Sequence, residues 1–209
     1  MLIPADDIKK KYSLKMETIL HVGAHAGEEK EIYMRLGAEK IIWVEGSSHF
    51  CDSLKENIAD EHNIIVNAVV SDRDNESVVF NIANNGQSSS LLELGIHKHL
   101  FRDITYVQSE IHTTRTLESI LTQQKISPSE LDFINLDIQG AELMALQGLG
   151  EKFLNTVPAI YTEINTDYVY KNCALVGEID DFLETYGFHR FETQMWADHP
   201  WGDALYLRC

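Results

Sequence analysis

Apolar residues along this chain follow two rhythms. Short unbroken runs that stop at glycine or an acid predict strands covered on both faces. Between them, apolar positions recur three and four residues apart, the spacing of one helix face. Ile19, Leu20 and Val22 form the first run, halted by Gly23-Ala24-His25-Ala26-Gly27. Ile32, Tyr33 and Leu36 then predict a helix closed by Gly37, and Ile41-Ile42-Trp43-Val44 delivers Glu45. This is a βαβ unit with a glycine turn at its first crossover and a carboxylate about 20 residues on, the layout that binds an adenosine.

The same reading continues downstream. Ser47 or Ser48 caps a helix with Phe50, Leu54 and Ile58 on its apolar face. Residues 63–70 read as one nearly continuous strand and 77–83 as another. From Asn84-Asn85-Gly86-Gln87-Ser88-Ser89-Ser90 the rhythm lapses until about Ile111, and long irregular segments are often functional. Thr116 caps a helix facing inward with Leu117, Ile120 and Leu121, and Ser127-Pro128 predicts a single turn. Residues 131–138 form a strand, Gly140 opens a helix through Leu143, Leu146 and Leu149, and 158–164 form the next strand. A stripe of Leu175, Ile179, Phe182, Leu183 and Tyr186 precedes two last strands, 188–193 and 204–208, too close together for a crossover and therefore an antiparallel hairpin. The expected fold is α/β, a doubly wound, Rossmann-like, mostly parallel seven-stranded sheet with a C-terminal antiparallel hairpin. No linker divides residues 18–209, read as one domain behind an extension, 1–17, holding a short helix.

Which adenosine the turn binds depends on its neighbours. A dinucleotide fingerprint has three glycines and seats a pyrophosphate on the helix N-terminus. Here Glu28 and Glu29 are expected in the helix's first turn and would repel it. A ligand bearing a sulfonium and an ammonium meets no such repulsion, which favours S-adenosylmethionine over a nicotinamide or flavin dinucleotide. Composition narrows the partners. Seventeen basic against thirty-three acidic residues, a formal charge of −16, suit a small or neutral substrate, or a basic partner, better than nucleic acid. The apolar runs are too short for a membrane span. Cys51, Cys173 and Cys209 lie far apart with no CxxC, and residues 1–12 lack a secretory core, so a cytoplasmic protein with reduced cysteines and no metal site is expected.

The order HVGAHAGEE, WVEGS, SSSLLELG, TLESIL, INLDIQGAELMALQG, YTEI and DALYLR, spanning most of the chain, resembles the FkbM family of methyltransferases. The resemblance implies a class I S-adenosylmethionine-dependent methyltransferase, commonly acting on a hydroxyl of a sugar or natural product. The family often has aspartate where this chain has His21, so the methionine end would be held differently, through Glu28, Glu29 or Asp137. Two other classes stay open: a methyltransferase-like scaffold that has lost catalysis, and a dinucleotide oxidoreductase.

The candidate cofactor residues are His21, Gly23, His25, Gly27, Glu45, Ala68 and Asp137. Glu45 would accept two hydrogen bonds from ribose hydroxyls, Gly23 and Gly27 admit close backbone approach, and Ala68 would line the adenine pocket. His25 reads as a ligand contact or as a loop histidine bonded to backbone. Asp137, Glu163 and His199 are the candidate bases. Asp137 alternatively caps the following helix. With Glu163 it would hold a substrate hydroxyl, share a proton or bind a divalent ion. Ser89 and Ser90 of the irregular segment, and Trp201 beside Trp196, are candidate substrate contacts, through hydroxyls and through stacking on a small-molecule or carbohydrate acceptor.

Overall fold

The apolar runs assemble into a single central sheet. The computed structural model describes the whole chain, Met1–Cys209. Helix α1 (Ala5–Tyr12) leads into β1 (Thr18–Val22), α2 (Lys30–Arg35), β2 (Lys40–Glu45), α3 (Ser48–Ile58) and β3 (Asn63–Asn67). A side branch follows, made of β4 (Val69–Val70), β5 (Ser77–Ala83), the single turn α4 (His97–Leu100) and β6 (Tyr106–Arg115). The chain returns through α5 (Leu117–Gln123), β7 (Phe133–Leu136), α6 (Glu142–Gln147), α7 (Glu151–Leu154), β8 (Ala159–Asn165), α8 (Val176–Glu184), β9 (Phe188–Met195) and β10 (Trp201–Arg208). The seven-stranded sheet runs β3-β2-β1-β7-β8-β10-β9. Its first five strands are parallel, and β10 is antiparallel to both β8 and β9.

Every residue of β1 is buried. Leu20 and Val22 enter a core built with α5, α6, α7 and α8, while Ile19 enters a second core under α1, α2 and α3. Burying each such side chain contributes roughly 1.5–3 kcal/mol, so β1 at the sheet centre anchors both layers. Local chemistry sets the helix starts. Ser47 Oγ accepts from Phe50 N at α3, and Thr116 Oγ1 accepts from Ser119 N at α5. Ile8 of α1 and Ile3 belong to the second core.

The structure departs from the sequence reading in four places. The expected strand 63–70 breaks at Ala68. β3 lies at the sheet edge and is only partly buried, and Val69–Val70 turns away to pair with β6 in a separate sheet ordered β4-β6-β5. The segment without rhythm contains the ten-residue strand β6, whose outer face is solvated: Val107 is 63% and Ile111 81% exposed. The helix after Gly140 is two short helices, parted where Gly148 packs against the Ser71 carbonyl. Glu28 precedes α2 and Glu29 is its N-cap, so neither lies within the first turn.

The turn after β1 requires its glycine. Gly23 has φ +88°, and a Cβ there would fall 1.8 Å from the Asp137 carbonyl oxygen. A side chain meets both left-handed backbone strain and a clash between two strand ends. Gly23→Ala is expected to lower unfolding free energy by about 3 kcal/mol or more. Denaturant titration followed by circular dichroism measures it, and a loss under about 1 kcal/mol would contradict this packing.

Candidate active site

Two adjoining cavities open at the carboxyl ends of the parallel strands, where open α/β sheets hold ligands. The larger, about 480 Å³, lies within the usual range of about 300–1,000 Å³ for small-molecule sites. The smaller, about 60 Å³, is enclosed by Glu45, Ala68, Val69, Phe80 and Ile138. Gly23, His25, Gln87, Asp137 and Gln139 line both and form the partition between them.

Glu45 ends β2 as the sequence predicts. Its carboxylate is already engaged, accepting from His25 N at 2.9 Å and Ser47 N at 2.7 Å. One glutamate thus ties the glycine turn to the start of α3. Burial raises its pKa, and those backbone N–H groups oppose the rise. The His25 ring packs on Phe50, with centroids 4.5 Å apart, and its Nδ1 is 2.9 Å from Glu28.

Asp137 and Glu163, from the ends of β7 and β8, are brought together by a residue that received no role in the sequence reading. Gln139 Nε2 donates to Asp137 Oδ1 at 2.7 Å and to Glu163 Oε2 at 2.9 Å, while its Oε1 accepts from the Tyr170 hydroxyl at 2.5 Å. Gln139 adopts φ +58°, and Ser90 Oγ donates to its carbonyl at 2.7 Å. Beneath it, Glu142 Oε1 accepts from Ile138 N and Gly140 N. Burial pushes the Glu142 carboxyl up to about 7, with the Asp137 charge adding to the rise. Glu163 is raised well above the ordinary range, first by burial and then by Asp137, Glu142 and Asp203.

His21 faces the second core. Its ring packs on Trp43 and its Nδ1 lies 3.1 Å from the Tyr33 hydroxyl, which accepts from Asn135 Nδ2 at 2.9 Å. Burial lowers its pKa, and an imidazole, neutral or protonated, cannot replace an aspartate's negative charge. It reaches the floor of the larger cavity with Asn135, Tyr161 and Asp203. Asp203 accepts from the Tyr161 hydroxyl and from Leu2 N, and Tyr161 accepts in turn from Ile3 N at 3.0 Å.

The other predicted residues divide. Ala68 and Ser89 line the smaller cavity and Trp201 the larger, stacked on Trp196 at 5.4 Å and 8°. Three fall outside both walls. Gly27 faces Leu54 and Ile58, so its missing side chain serves helix packing. Ser90 is fully buried, its hydroxyl spent on Gln139 and Leu92 N. His199 packs its ring against Phe101, itself a wall residue, and is not part of the cavity lining. Gln139, Tyr170, Asp203 and His97 are among the wall residues that received no individual role from sequence; Gln139 and Asp203 had a signal, their places in LDIQGAE and DALYLR.

A glycine turn, a carboxylate ending β2 and acids ending β7 and β8, on a sheet of this order, define a class I methyltransferase fold. The sequence matches the methyltransferase FkbM domain over residues 21–190, and the chain belongs to that family. It is accordingly a methyltransferase, with S-adenosylmethionine as methyl donor. No curated protein matches the sequence. Among solved structures, methyltransferase FkbM from Methylobacillus flagellatus KT is 14% identical with a TM-score of 0.60, covering 91% of this chain and 43% of that one. The chain thus spans less than half of that protein's length. A putative S-adenosylmethionine dependent methyltransferase from Listeria monocytogenes is 10% identical, TM-score 0.53, over 98% of both chains. Magnesium protoporphyrin IX methyltransferase from Synechocystis PCC 6803, solved with bound S-adenosylhomocysteine, is 8% identical, TM-score 0.53, over 97% of this chain and 78% of that one. These likenesses show the fold. No helix is long and apolar enough to cross a membrane.

Glu142 carries a pH dependence of stability. Its folded-state carboxyl titrates at about 7 against an ordinary value of 4.5, so the folded protein retains a proton that the unfolded chain has released. Stability therefore falls as pH rises from about 4.5 to about 7. Glu142→Gln keeps an oxygen for Ile138 N and Gly140 N, and is expected to be more stable than the parent at pH 8 by about 1–3 kcal/mol. Guanidinium unfolding at pH 5 and pH 8 tests this; parallel pH slopes in the two proteins would overturn it.

Proposed function

We propose that this chain methylates a hydroxyl of a small hydroxylated acceptor, with a sugar as the leading class. The observation that carries the reading is the Asp137–Gln139–Glu163 bridge on the wall of the 480 Å³ cavity, beside the glycine turn. S-adenosylmethionine, when bound, supplies a methyl group made electrophilic by its sulfonium. The chemistry of the smaller cavity fits its adenosine half. Glu45 keeps lone pairs for ribose hydroxyls, Gly23 leaves the turn open, and Ala68, Val69, Phe80 and Ile138 provide an apolar slot. A volume of about 60 Å³ is less than an adenosyl group fills, so this reading requires the smaller cavity to widen on binding.

Asp137 sits on the partition, where it serves the donor's ammonium and the acceptor together. Glu163 is assigned as the base. It is buried, its proton affinity is raised, and Gln139 holds one of its oxygens while leaving lone pairs toward the cavity. His199, packed on Phe101, is not assigned that work. The stacked Trp196 and Trp201 offer a flat apolar surface for a sugar face. The formal charge of −16 favours such an acceptor over nucleic acid, and three free cysteines favour a reducing, cytoplasmic setting.

Two outcomes test the assignments. Glu45→Gln is expected to weaken S-adenosylhomocysteine binding about ten- to hundredfold by calorimetry, and an unchanged affinity would remove Glu45 from the ribose. Glu163→Gln is expected to lower kcat about 10²–10⁴-fold while leaving that affinity within about twofold. Equal losses in both quantities would make Glu163 a donor ligand instead.

A further inference from the structure

The larger cavity is unbalanced in charge. No lysine or arginine lines it, whereas Glu28, Glu29, Asp137, Glu163 and Asp203 do. Two of these acids have ionic partners. Glu28 is 2.9 Å from His25 Nδ1, and Glu29 is 3.9 Å from the α-amino group of Met1. The other three take hydrogen bonds only from neutral groups, Gln139 on Asp137, Gln139 and Asn165 on Glu163, Tyr161 and Leu2 N on Asp203, although the Met1 α-amino charge also acts on Asp203 from a distance. With Asp137 given to the donor's ammonium, Glu163 and Asp203 remain.

These two are not a loose surface cluster. They are register partners on the antiparallel strands β8 and β10, only 4% and 7% exposed. Buried carboxylates without a cation are costly, and the cost falls when positive charge arrives. The rest of the wall suits a cation. Tyr161, Tyr170, Trp196 and Trp201 bring aromatic faces, which attract ammonium groups. His97 lines the same cavity at 5% exposure, its Nδ1 has no hydrogen-bond partner, and its ring is wedged between Phe101 and Tyr170. Burial lowers its pKa, so it stays neutral and adds no repulsion toward a cation.

We propose that the acceptor is a cation, a hydroxylated amine of the amino-sugar or amino-alcohol class, whose ammonium sits against Glu163, Asp203 and the aromatic wall. The proposal rests on the methyl-transfer reading above and adds the charge of the substrate. It also explains how a base so deeply buried is made ready. The groups facing Glu163 are Asp137 after β7, Glu142 on α6 and Asp203 on β10, all acidic, with the neutral Gln139 and Asn165. An ammonium offsets that repulsion and lets Glu163 ionise. A neutral acceptor brings no such offset, and a phosphate or carboxylate drives its proton affinity higher still.

The test is calorimetric titration of the full chain, first with S-adenosylhomocysteine and then, at saturation, with glucosamine, N-acetylglucosamine and glucose 6-phosphate near neutral pH. Glucosamine is expected to bind at least about tenfold more tightly than the N-acetyl compound, and the phosphate not to bind. Repeating the glucosamine titration in two buffers of different ionisation enthalpy is expected to show proton release. Glu163→Gln should shrink that release and weaken glucosamine about tenfold, leaving S-adenosylhomocysteine within about twofold. Equal affinity for amine and amide, preference for the phosphate, or binding of S-adenosylhomocysteine with none of the three sugars would overturn the cationic class and leave methyl transfer standing. Failure of S-adenosylhomocysteine itself to bind would overturn the donor placement, and this proposal with it.

Discussion

The close approach of two strand ends governs this structure. Where β1 leaves the sheet, Gly23 passes so near the Asp137 carbonyl that no Cβ fits between them. Gly23 N bonds to Val44 O on one side, and Asp137 N bonds to Val22 O on the other. Three neighbouring strands are therefore locked at one level. Their next residues, the glycine turn, Glu45 and Asp137, emerge in one small region as a result. A side chain at position 23 would part β1 from β7 and disperse the groups whose chemistry depends on proximity.

Around that junction the protein tolerates an unusual concentration of buried polar groups. His21, Tyr33 and Asn135 satisfy one another on one sheet face. Glu142 secures the backbone of the β7–α6 turn, and Gln139 spans Asp137 and Glu163. A network of this kind is stable only while each member has its partner. The several acids whose proton affinity is raised belong to this one region, so its charge state is collective rather than residue by residue.

The layers of the fold were legible where burial is two-sided. β1, β2, β7 and β8 are apolar runs because both faces are covered, and their ends locate Glu45, Asp137 and Glu163. β6 was illegible for the converse reason: it has a solvated face and holds the chain through pairing with β5, so its apolar residues follow no burial pattern. Residues 84–101 have no rhythm because they are pinned by distant bonds, such as Ser90 to Gln139 and Tyr106 to Leu92, rather than by a face of their own. The same distinction divides the site. Strand-end acids follow from periodicity. Tyr170, His97 and Asp203 come to the cavity from three separate elements, and nothing in local spacing brings them together. An aromatic-rich loop looks the same in sequence whether its histidine lines the cavity or, as His199 does, packs on a phenylalanine that lines it.

The first residues of the chain are structurally part of the cavity. Leu2 N and Ile3 N are held by Asp203 and Tyr161, and Met1 is a wall residue. A pull on this first segment would pass directly to Asp203 and Tyr161, two residues of the cavity wall. The opposite terminus, Cys209, is exposed and is not among that cavity's wall residues. The two ends of this protein are thus unequal as places of attachment, and a handle or surface tether belongs on the carboxyl side.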